Sequence, residues 1–121
     1  MILERFSQNP LISPEDVKPT YPDWEVIGAY NCGAFEYNGR IGLLVRITER
    51  PIAPDSDTVV APVLEFPNGQ AEMVVKKGRR DQVNLSDPRF VEAETRYDAI
   101  HSHLRLAWSD DGYDFTIAET P

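Results

Sequence analysis

The chain has 121 residues with 12 basic and 20 acidic side chains, for a net charge of −8, so a nucleic-acid or anionic-membrane partner would be repelled over most of its surface. Its length fits one domain with a modest core. The single cysteine, Cys32, excludes an intrachain disulfide, and neither a signal-peptide segment nor a run of the ~20 apolar residues of a membrane span is read, so a cytoplasmic setting is expected.

In chain order, residues 9–22 carry Pro10, Pro14, Pro19 and Pro22. These exclude central strands and favour an extended arm laid over a surface. Residues 1–23 are therefore read as an arm and residues 24–121 as hairpins, with Trp24 anchoring the junction. Ser13, followed three residues later by Asp16, predicts one capped turn.

The block YNCGAFEYNGRIGLLVRITERP, residues 30–51, contains Asn38-Gly39 between two alternating apolar runs, the pattern of a hairpin with a type I′ turn. Counting outward, Tyr37 faces Arg40, Phe35 faces Gly42, Gly33 faces Leu44 and Asn31 faces Arg46, all on one side because the period is two. An amide beside a guanidinium on a face otherwise made of Phe35, Leu44 and glycines suits a sugar-binding or anion-binding site. The bland account of Arg46 is a partly buried arginine held by a backbone carbonyl or by a carboxylate such as Glu49. Glu49 and Arg50 equally fit a solvated strand end. On the other face, Ile41, Leu43, Val45 and Ile47 form an aliphatic row that must pack against another layer.

A second hairpin is predicted from VVAPVLEF, the turn Asn68-Gly69 and QAEMVVKK. Its register sets Leu64 against Met73 and Glu65 against Glu72, a like-charge pair that requires water around it. The run Lys76, Lys77, Arg79 and Arg80 reads as a solvated loop or an anion contact, and residues 78–97 as a long polar loop. A third hairpin runs from Ile100 to Trp108, turns at residues 109–112 and returns to Ile117, with Leu106 facing Phe115. His101, His103 and Arg105 share one face of its first strand. A His-x-His pair without a third ligand points to structural histidines over a metal site. The class is all-β and hairpin-rich, with propeller blades favoured over a sandwich or barrel. The length supplies two or three blades of roughly 40 residues.

The segments RFSQNPLISPEDVKP, VIGAYNCGAFEYNGRIGLLVRITERP and SHLRLAWSDDGYDF resemble, in that order, the N-terminal part of glycoside hydrolase family 130. That family comprises inverting β-mannoside phosphorylases and related β-mannosidases. The resemblance implies the first blades of a five-bladed β-propeller and a β-mannoside oligosaccharide as substrate. It implies inorganic phosphate as co-substrate in the phosphorylases, and no metal or organic cofactor. It places Asn31 and Arg46 in the subsite for the non-reducing mannose, and leaves Cys32 without an implied sugar contact. His103, within SHLRL, is the further candidate for sugar or phosphate contact. The turn at Ser109 and Asp111 is implied to be structural.

The family's general acid is an aspartate in a Glu-Asp-Pro-Arg motif downstream of the SHLRLAWSDDG block. This chain reaches Pro121 before such a motif, so its catalytic acid is expected to be absent. Asp87, in SDPRF upstream of that block, is the one candidate within the chain, its alternative being an Asp-Pro turn. Three readings follow. An active enzyme would require the missing blades from a longer chain or another copy. A non-catalytic mannoside-binding module would bind without turnover. A structural fragment would self-associate through the uncovered Ile41 to Ile47 row. Phosphorylase and hydrolase are not separated by these residues.

Overall fold

The computed structural model describes residues 2–121. Among them no strand precedes Trp24, as the prolines of the arm require, and the capped turn forms at Pro14–Asp16. There the Asp16 carboxylate accepts the Ser13 backbone N–H at 2.8 Å and its hydroxyl at 3.0 Å.

Strands β1 (Trp24–Tyr37) and β2 (Arg40–Pro51) form the first hairpin. Its turn residues Asn38 and Gly39 have φ of 52° and 72°, the positive values that a type I′ turn needs. Tyr37 faces Arg40, Phe35 faces Gly42 and Gly33 faces Leu44, as counted from the sequence. The expected Asn31–Arg46 pair does not form. One extra residue enters β1 between Tyr30 and Gly33, so Arg46 pairs with Tyr30, and Asn31 takes φ 51°. A bulge of this kind inserts a residue on one strand, and asparagine tolerates the left-handed conformation better than most residues.

The remaining strands are β3 (Thr58–Glu65), β4 (Glu72–Arg79), β5 (Phe90–Glu92), β6 (Arg96–Asp98), β7 (His101–Ser109) and β8 (Thr116–Ile117). They give a four-stranded antiparallel sheet in the order β1-β2-β7-β8 and two ribbons, β3-β4 and β5-β6. Four antiparallel strands are the unit from which propellers repeat; the described residues form one such sheet and two ribbons in place of the two or three blades expected from length, and the fold is an all-β partial propeller. The first and third hairpins share this sheet, and both ribbons are inserted between its second and third strands. The second hairpin keeps the counted register, Leu64 on Met73 and Glu65 on Glu72. Lys76 Nζ lies 2.6 Å from Glu65 and offsets the like-charge pair.

Two further expectations are corrected. Residues 78–97 are not a continuous loop, because β5 and β6 form there and bury Val91 against Val59 and Ala61. Three-residue strands are too short for periodicity to reveal. Leu106 does not face Phe115. The turn after Ser109 consumes residues 110–115, Ala107 pairs with Ile117, and the Ala118 N–H reaches the Leu106 carbonyl at 2.8 Å.

The main core lies on one face of the sheet, where Val45, Ile47 and Ala107 are buried against Val17 and Ile12 of the arm and Phe115 and Ile117 of the last hairpin. The aliphatic row of β2 is thus covered at its centre by the arm, and only Ile41 at its end is exposed. The opposite face leaves Leu44, Leu104 and Leu106 exposed.

Candidate functional site

Arg46 projects from the exposed face. Its guanidinium lies 5.3 Å from the centroid of the Tyr30 ring, within range of a cation–π contact. Its Nη2 donates to Ser102 Oγ at 3.4 Å. Ser102 Oγ is in turn 2.9 Å from Thr48 Oγ1, and Thr48 Oγ1 is 2.6 Å from the Tyr30 hydroxyl. Three strands build this chain of hydroxyls, because Thr48 on β2 faces both Gly28 on β1 and Ser102 on β7. Asn31, exposed in the bulge, directly follows Tyr30. The bulge therefore brings the amide beside the guanidinium's neighbour instead of beneath the guanidinium itself. Among the described residues no carboxylate pairs with Arg46, so its fork of donors is available to oxygens of a ligand.

The bland account of Arg46 does not hold, because the residue is exposed, among the described residues its one side-chain hydrogen bond goes to Ser102, and Glu49 lies on the other face. Glu49 is fully buried and is not a solvated strand end. Its Oε1 accepts the Thr20 N–H and its Oε2 the Thr20 hydroxyl, each at 2.6 Å, and His103 Nε2 lies 2.6 Å from Oε2. Arg105, also buried, donates to the Lys18 carbonyl at 2.6 Å and to Thr20 Oγ1 at 2.7 Å. Burial pushes the Glu49 carboxyl up, but the Thr20 and His103 hydrogen bonds outweigh it and hold the group below its ordinary value. This cluster fastens residues 18–20 of the arm to the sheet.

His103 is consequently separated from Arg46. It pairs with Ile47 on the core face, whereas Arg46 pairs with Leu104. His101 is its neighbour at 5.9 Å between rings, and among the described residues no group of three or more metal-ligating side chains gathers. Asp87 lies in the insertion, before β5. It accepts the Arg89 backbone N–H at 3.0 Å and a guanidinium N–H at 2.6 Å. These bonds lower its carboxyl to about 2, the direction opposite to the raised value that suits a general acid. In the basic run, Lys76 pairs with Glu65, Arg79 with Asp81, and Arg80 Nε with the Ser56 carbonyl.

A concavity of about 720 Å³ lies away from Arg46, between the arm's end and the β3-β4 ribbon, lined by Tyr21, Trp24, Ile52, Met73 and Val75. It is apolar, and its polar side chains, Asp23 and Lys77, are few.

Tyr30, Thr48 and Ser102 are not singled out by the sequence, and Glu49 is read there only as a partner for Arg46 or a solvated strand end. Glu49 was accessible to parity, since it continues the row Val45, Ile47. Tyr30 was hidden by the bulge, which shifts one residue without changing composition.

No protein-family model matches the chain. The β-1,2-mannobiose phosphorylase of Listeria innocua is 37% identical to it over 126 aligned positions, covering 100% of this chain and 36% of that protein. A solved structure of the Listeria innocua β-1,2-mannobiose phosphorylase in complex with β-1,2-mannobiose superimposes with a TM-score of 0.77 at 39% identity, over 97% of this chain and 35% of that one. The chain is homologous to that phosphorylase throughout its own length and spans about a third of it.

Proposed function

We propose that this chain carries the mannose-holding part of an inverting β-mannoside phosphorylase of glycoside hydrolase family 130, acting on β-1,2-linked mannosides with inorganic phosphate as co-substrate. The observation that carries the reading is homology over the whole chain to a β-1,2-mannobiose phosphorylase, joined to an exposed Arg46 that has no carboxylate partner and lies over Tyr30, the residue before Asn31. Asn31 and Arg46 bind mannose hydroxyls, the arginine through two parallel N–H donors. Inversion requires an acid to protonate the leaving oxygen while phosphate attacks the opposite face of the sugar. With its carboxyl at about 2, Asp87 is better suited to tying its turn than to that role. The acid and the cover for Leu44, Leu104 and Leu106 come from further blades, in a longer chain or a second copy. The setting is cytoplasmic, consistent with an exposed free Cys32. Among the described residues no helix is long and apolar enough to cross a membrane.

The test is incubation with β-1,2-mannobiose, with and without phosphate, of a protein containing these residues and the remaining blades. Mannose 1-phosphate formed only with phosphate supports the reading, and its loss in Arg46→Ala supports the site. Free mannose formed without phosphate would make the protein a β-mannosidase instead. Turnover unaffected by Arg46→Ala would overturn the site.

A further inference from the structure

The exposed face contains more machinery than Arg46 and Asn31. We propose that Tyr30, Thr48 and Ser102 are positioning residues that hold the Arg46 guanidinium ready for the sugar. The proposal rests on the reading of Arg46 as a mannose ligand.

Three independent features support it. First, the Tyr30 ring is seated by the backbone beneath it, since a Cβ at Gly28 would stand 2.3 Å from Tyr30 Cε1. The glycine allows the ring to lie across the sheet, and the hydroxyl then meets Thr48 Oγ1 at 2.6 Å. Second, Thr48 is 2% exposed, so its hydroxyl is locked between Tyr30 and Ser102 and cannot turn to solvent. Third, Arg46 is held by a ring face and one hydroxyl, with no carboxylate partner in a chain of 20 acidic residues. A carboxylate would occupy the fork, whereas a ring and a hydroxyl fix its direction and leave most donors free.

Proton counting adds a consequence. Arginine only donates, so Ser102 Oγ accepts from it. The two oxygen–oxygen contacts of the chain use two of the three hydroxyl protons. One proton therefore remains, and because buried Thr48 has no further partner for it, it sits at Tyr30 or at Ser102, available to a ligand oxygen beside the guanidinium.

The experiment follows the Arg46 Nε–H resonance by nitrogen-15 NMR in the 121-residue chain, with β-1,2-mannobiose titrated into the wild type, Tyr30→Phe, Tyr30→Ala, Ser102→Ala and Arg46→Ala. The wild type is expected to show a sharp signal, displaced from that of a free arginine by the Tyr30 ring. Tyr30→Ala should broaden it and weaken sugar binding by about threefold to fivefold, the scale of an exposed cation–π contact. Tyr30→Phe keeps the ring and should lose about twofold, while confirming that the fold tolerates the site being changed. An unchanged Arg46 signal and affinity in both Tyr30→Ala and Ser102→Ala would overturn the proposal. An ordered Arg46 signal with no sugar response, or with equal binding by Arg46→Ala, would overturn the mannose-ligand reading beneath it.

Discussion

Nε2 of His103 lies 2.6 Å from Oε2 of Glu49, and both side chains sit under residues 18–20 of the arm. Arg105 Nη2 stands 3.7 Å from the same oxygen. Breaking one member of such a buried set leaves the rest uncompensated, at a cost of about 3–5 kcal/mol. Glu49→Ala and Arg105→Met should each lower stability on that scale in urea unfolding. Losses below about 1 kcal/mol would show that the arm is not held by this cluster.

The same face predicts the pH dependence. Burial first, and then the neighbouring His103, lowers the His101 imidazole below its ordinary 6.5, against the opposing pull of Glu49. The unfolded chain then takes up a proton near pH 6.5 that the folded chain refuses, so stability falls as the pH drops through that region. Glu49, held below its ordinary 4.5, adds a further loss at lower pH, because its carboxylate is stabilised only in the folded chain. Urea unfolding between pH 7.5 and 4 should show both steps, and His101→Phe should remove the first. Constant stability from pH 7.5 to 5 would contradict the assignment.

Phe35 offers a packing test. A Cβ at Gly42 would lie 2.3 Å from Phe35 Cζ, and the ring stacks edge-on against Trp108 at 5.3 Å. Gly42→Ala should displace the ring and cost about 1–3 kcal/mol, read as a lowered melting temperature and a changed Trp108 fluorescence. Unaltered emission would mean that the ring has room to move.

The turn after β7 is a separate structural element. Ser109 Oγ accepts the Gly112 N–H at 2.8 Å and donates to Asp111 Oδ1 at 2.9 Å, while Asp111 Oδ1 accepts the Tyr113 and Asp114 N–H groups, each at 2.9 Å. Ser109→Ala should cost about 1–2 kcal/mol by leaving buried groups unpaired, with mannoside affinity unchanged. A stability-neutral Ser109→Ala that abolished sugar binding would move this turn into the site.

The hairpins were legible because Asn38-Gly39 and Asn68-Gly69 fix register locally. Near each turn the counted pairs Phe35–Gly42 and Leu64–Met73 form. The counted register departs from the observed one where a bulge at Asn31 adds one residue to β1, an event with no compositional mark beyond an asparagine. The sequence placed Asn31 and Arg46 side by side, and the fold instead puts Tyr30 between them in the pairing. His103 was grouped with the sugar site by its motif, but strand parity sends it to the core face with Glu49. The arm's grip on that face depends on contacts between Thr20, Glu49 and Arg105, which local patterns do not encode.

The central claim is that Asn31 and Arg46 hold a mannoside. Its most direct test is titration of β-1,2-mannobiose into the nitrogen-15-labelled chain, mapping which backbone amides shift. The account predicts saturable shifts centred on Asn31, Cys32, Arg46 and Ser102, lost in Arg46→Ala. Shifts confined to the cleft at Tyr21 and Trp24, or none at Asn31 and Arg46, would contradict it.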